Sequence, residues 1–88
     1  MQGQKKDDTI RRLKTAGGHL KAVERMVDED KYCADILLQM QAVIASLEKV
    51  SNIILENHLE TCLRAAMRRG EEEEVITELK TFMKYKTK

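Results

Sequence analysis

The feature that most restricts this chain is an unbroken apolar stripe through its middle. Ile36, Leu37, Met40, Val43, Ile44, Leu47, Val50, Ile54, Leu55, Leu59, Cys62, Leu63 and Ala66 recur with the rhythm of one helical face. No Pro or Gly falls between Cys33 and Gly70. The spacing therefore predicts one long helix over about residues 32–69, close to 57 Å at ~1.5 Å per residue. In a chain of 88 residues, the two short flanking segments cannot cover a helix of that length. It needs a second copy of itself.

The flanks read as two further helices. Asp7, Asp8 and Thr9 offer N-caps, and Ile10, Leu13, Gly17, Leu20, Val23 and Val27 give the inner face of a helix over about residues 8–28. Gly17-Gly18 weakens that helix by roughly 1 kcal/mol per Gly relative to Ala, so the pair is read as a point of close packing with a neighbour. Asp28-Glu29-Asp30-Lys31 is the polar connection. Gly70, preceded by Arg68 and Arg69, suits the end of the long helix. Glu71–Glu74 then suit the first turn of a third, whose inner face is Val75, Ile76, Leu79, Phe82 and Met83. The expected fold is all-α, one domain over residues 1–88, with 1–6 and 85–88 as mobile tails. Aromatic content is 3%, which makes a thin core and again favours association.

The chemistry sits on the long helix. His58 and Cys62 are four residues apart, so they share a face and can hold one ion. Two soft or borderline donors leave that ion short of ligands. Cys33 is the obvious third, but it lies 25 residues before His58, about 37 Å along a helix. An antiparallel partner with its dyad near Ala45, Ser46 and Leu47 brings Cys33 of one chain level with His58 and Cys62 of the other. Two thiolates and one imidazole suit trigonal Cu(I) better than tetrahedral Zn²⁺. The competing reading of each cysteine is a small core hydrophobe, and it weakens once three donors fall into one register. His19 has no comparable partner and reads as a surface residue. Met26, Met40 and Met67 read as core filler.

Net charge is +1, yet residues 5–25 carry seven basic groups against Asp7, Asp8 and Glu24. That imbalance permits an anionic partner without demanding one. There is no apolar leader segment and no run of ~18 apolar residues to span a membrane, so the cytosol is expected. There the two cysteines are more at home as metal ligands or reactive thiols than as a disulfide. No acid–base pair or glycine-rich phosphate loop suggests an enzyme.

Arg12-Leu13, Gly18-His19-Leu20, Glu24-Arg25-Met26, Asp30-Lys31-Tyr32-Cys33 and Asp35-Ile36-Leu37 through Gln41-Ala42-Val43, with His58-Leu59-Glu60-Thr61-Cys62, resemble the copper-sensitive operon repressor family over about residues 9–83. The resemblance implies a three-helix protomer, an antiparallel dimer with a four-helix core, and a dimer of dimers forming a homotetramer. It implies a repressor that binds operator double-stranded DNA when metal-free and releases it on Cu(I) binding, controlling copper-resistance or efflux genes. It carries Tyr32 and Glu78 over as partners of the metal-bound imidazole. Arg12 and Lys49 carry over as DNA contacts; Lys14, Lys21 and Arg25 join them from the local charge excess. Other branches of the family sense nickel or cobalt, formaldehyde or reactive sulfur. A copper-binding dimer without DNA binding is the alternative from a different class.

Overall fold

The computed structural model describes residues 1–86; the expected tail positions 87 and 88 lie outside the described residues. Among the described residues the chain is helical throughout: α1 (Gly3–Asp28), α2 (Cys33–Asn57), a π-helical turn (His58–Leu63), α3 (Arg64–Arg69) and α4 (Glu72–Lys86). It groups into two compact units, Met1–Ile54 and Leu55–Lys88.

In the first unit, α1 begins five residues earlier than its cap signals suggest. Asp8 and Thr9 lie inside the helix, where other partners take their side chains. The Asp8 carboxylate pairs with Arg11 and, at 2.9 Å, with the Arg12 Nε. The Thr9 hydroxyl donates back to the Lys5 carbonyl at 2.7 Å. The helix ends in a tight hydrogen-bonded turn. Asp30 adopts the left-handed conformation at φ 55°, while the Lys31 and Asp30 amides bond the Met26 and Val27 carbonyls. Asp is one of the few non-glycine residues that tolerates this geometry. The Tyr32 carbonyl then accepts the Asp35 and Ile36 amides, opening α2.

The inner face of α1 is not the one its large apolar residues suggest. Thr9, Ala16 and Val23 are buried, seven residues apart, and Arg12, His19 and Met26, each three residues further on, are half-buried. Ile10, Leu13, Leu20 and Val27 occupy the adjoining stripe and remain exposed. The small inward side chains allow α1 to approach α2, whose Val43 and Val50 are buried. His19 is correspondingly more than a surface residue: its Nε2 lies 2.8 Å from the Gln39 Oε1 on α2. Gly17 and Gly18 do not mark close packing within the chain, since a Cβ on either would meet nothing within 4 Å.

A second face of α2 is left open. Leu37, Met40, Ile44, Leu47 and Ile54 are between 37% and 62% exposed; the first four follow at steps of three, four and three residues and Ile54 seven further on, as in a helix–helix seam. An exposed patch of that continuity on a small protein marks an association surface.

In the second unit the long helix does not stay α-helical as expected. At His58–Leu63 its amides reach back five residues to form a π turn, after which α3 resumes. Gly70 closes α3 at φ 73°, with the Glu71 amide 2.7 Å from the Ala66 carbonyl. Glu72, Glu73 and Glu74 fill the first turn of α4, where carboxylates offset the helix dipole. Ala66 and Val75 are the buried apolar residues joining α3 to α4.

Candidate functional site

The π turn carries two of the three expected metal donors. His58 and Cys62 both line a cavity of about 400 Å³. Its floor includes the buried Ala66 and Val75, and its α4 wall carries Glu74 and Glu78. The His58 side chain is half-buried, and its Nε2 lies 3.8 Å from the Glu78 Oε2. That is within ion-pair range of a protonated imidazole but longer than a direct hydrogen bond. Glu78 is thus brought to the histidine it was expected to accompany. Arg69 and Glu71, paired at 3.2 Å, stand at the rim.

Thr61 was missed by the sequence reading because it is no metal ligand. Its hydroxyl donates to the Asn57 carbonyl at 2.7 Å, and the same oxygen lies 3.7 Å from the Cys62 Sγ. Asn57 itself is buried.

Cys33, the third expected donor, is the first residue of α2, and Tyr32 immediately precedes it. Both side chains are exposed, and Cys33 and Cys62 are free thiols. Among the described residues, no three His, Cys, Asp or Glu side chains gather into a metal-holding group. One chain therefore offers a thiol–imidazole pair. That donor set is soft enough for a thiophilic ion, but it needs a further sulfur to complete even trigonal coordination.

The expected DNA contacts separate into groups. Arg12 and Lys49 meet in a cavity of about 200 Å³ between α1 and α2, lined also by Arg11, Thr15, Ala16 and Ser46. Arg11 was not singled out from sequence; its spacing of three from Asp8 and its place beside Arg12 were the available signals. Asp8 anchors both guanidiniums, and its carboxyl is held below the ordinary value by the Arg12 hydrogen bond first and by Arg11 second. Three cations against one carboxylate leave this groove positive. Lys21 and Arg25 line a separate, shallow depression on α1 with Glu24, Val27 and Asp28. Lys14 is exposed on α1, outside the groove of Arg12 and Lys49.

A family profile described as metal-sensitive transcriptional repressor matches residues 5–85. The copper-sensing transcriptional repressor CsoR of Mycobacterium ulcerans is 44% identical over 81 residues, covering 92% of this chain and 69% of that protein. Among solved structures, the copper-sensing repressor CsoR with Cu(I) from Geobacillus thermodenitrificans superposes with a TM-score of 0.92 at 32% identity, covering 100% of this chain and 93% of that one. The nickel-responsive transcriptional regulator InrS superposes with a TM-score of 0.74, also at 32% identity, over 90% of this chain and 89% of its own.

Proposed function

This chain belongs to the metal-sensitive transcriptional repressor family, and from that premise we propose that it is a Cu(I)-responsive repressor whose ion is shared between two protomers. Cys33 of one copy and His58 with Cys62 of the other are the ligands. The observation that carries this reading is the pair itself: His58 and Cys62 line one cavity with no second sulfur in its lining, and among the described residues no metal-holding group of three donors forms. The open stripe of Leu37, Met40, Ile44, Leu47 and Ile54 supplies the means, because inverted pairing about Leu47 sets residue 33 level with residues 58–62. Dimers of this kind would assemble further into tetramers.

When bound, Cu(I) supplies a soft Lewis acid that two thiolates and one imidazole satisfy. The chain's own residues do the rest. Glu78 faces the imidazole and ties its orientation to α4, with Tyr32 completing the set beside Cys33. The groove of Arg11, Arg12 and Lys49 meets operator phosphates in the metal-free protein, and metal binding weakens that contact. Coupling of this kind is reciprocal and typically amounts to ~1–3 kcal/mol. The similarity to a nickel-responsive regulator motivates a second metal in the test.

Operator-DNA anisotropy titrations, run metal-free, with Cu(I) and with Ni²⁺, test the proposal. Cu(I) alone should weaken DNA binding, and Cys33→Ala should bind DNA equally with and without copper. DNA affinity of the wild-type protein that ignores Cu(I) would overturn the sensing role.

A further inference from the structure

At Thr9, Thr15, Thr77 and Thr81 the threonine hydroxyl donates to the carbonyl four residues earlier, inside an ordinary α-helix. There the same carbonyl already receives the backbone amide of that step. Thr61 makes the same bond to Asn57 at 2.7 Å, but it does so within the π turn of His58–Leu63. In a π turn the amide ladder moves to a five-residue step. The hydroxyl thus supplies the four-residue contact that the backbone has given up, at a carbonyl whose residue is buried. Beside the five-residue amide ladder, the hydroxyl adds a second donor across the turn and so stabilises the wider turn.

The turn matters because it contains both donors. Along an α-helix, a residue four positions on overshoots one full turn by about 0.4 residue. The wider π step changes that offset, and with it the direction in which the Cys62 thiol projects relative to the His58 ring. We infer that Thr61 is a positioning residue for the metal site: its hydroxyl holds the π turn in which His58 and Cys62 are aimed at a common ion. It touches no metal in this scheme and acts through Asn57. The inference rests on the copper reading above, and its test separates the two.

The variants are Thr61→Val, which keeps the shape and removes the hydroxyl, and Thr61→Ser, which restores it. Cu(I) affinity is read by competition with bathocuproine disulfonate, and amide hydrogen exchange at Cys62 is followed in the metal-free protein. Thr61→Val should lose roughly ten- to hundredfold in Cu(I) affinity, the range for partners that orient ligands. Its Cys62 amide should exchange faster, while metal-free operator affinity stays unchanged. Thr61→Ser should recover both properties. Copper held equally by wild type and Thr61→Val overturns the role of the hydroxyl and leaves the copper site standing. Equal losses in the Val and Ser variants also overturn it, because they place the effect in the methyl group. A wild-type protein that cannot compete for Cu(I) at all removes the copper reading, and the positioning role with it.

Discussion

Asp8 lies among the charges of the α1–α2 groove, and its carboxyl titrates below the ordinary value of 3.8 because Arg12 and then Arg11 favour its ionised form. A carboxyl depressed in the folded state stabilises it above the unfolded value, and that contribution fades as pH falls through the lower folded value. Wild type should therefore lose more stability than Asp8→Asn on acidification below about pH 4, read from thermal midpoints of both proteins. The pair is solvent-exposed, so the difference should be small. Lys49 tests the same groove from α2. As a phosphate contact, Lys49→Ala should weaken binding to every duplex sequence and reduce the slope of log affinity against log salt by about 1. A change confined to one sequence would instead mark a base contact. At this scale the candidate donors could be named from sequence, because few residue types bind soft metals, and two of the three, His58 and Cys62, line one cavity. Arg11, Thr61 and the His19–Gln39 bond were not legible. The His19–Gln39 bond joins residues twenty apart, which only the folded chain brings together, while Arg11 and Thr61 bond helical neighbours three and four residues away without a motif to single them out.

Helices were legible as elements, but their faces were not always. Of the α1 residues expected inward, Val23 is buried, but Ile10, Leu13, Leu20 and Val27 are exposed, and Thr9 and Ala16 are buried instead. Both stripes repeat at three- and four-residue steps, so periodicity alone could not choose between them, and hydrophobic size pointed to the wrong one. The two glycines discriminate the faces experimentally. Gly18 lies off both stripes and has free space around it; Gly18→Ala should raise stability by about 1 kcal/mol through helix propensity, measured by urea unfolding. Gly17 lies on the open stripe with Leu13 and Leu20, so Gly17→Ala should gain less and should raise the dissociation constant of the dimer in sedimentation equilibrium. The π turn was illegible for a related reason. Residues four apart share a face in either kind of turn, and no residue type announces a five-residue ladder.

The whole molecule joins a near-neutral charge to a strongly uneven surface. None of the described helices is long and apolar enough to cross a membrane; the open apolar seam of α2 has the continuity of an association surface. In the proposed inverted pairing Leu47 sits at the dyad. Leu47→Glu places two like charges opposite each other there and should yield a monomer by light scattering, with Cu(I) affinity lost in the same variant although no donor has been touched. A monomer that still binds copper tightly would place the site within one chain. The expectation of a second copy comes from the length of the apolar stripe, and part of that stripe, Leu37, Met40, Ile44, Leu47 and Ile54, is exposed in the single chain.

The thiol–imidazole pair at the π turn has a quantitative consequence for the cell. With the ion shared between two protomers as proposed, the receptor exists only when two copies meet, and its detection limit would be set partly by its own abundance. Diluting the protein should blunt its response to copper even at constant metal, and expressing more of it should sharpen that response. Under that proposal the protein's expression level would act as a second dial on the copper concentration at which its genes are switched.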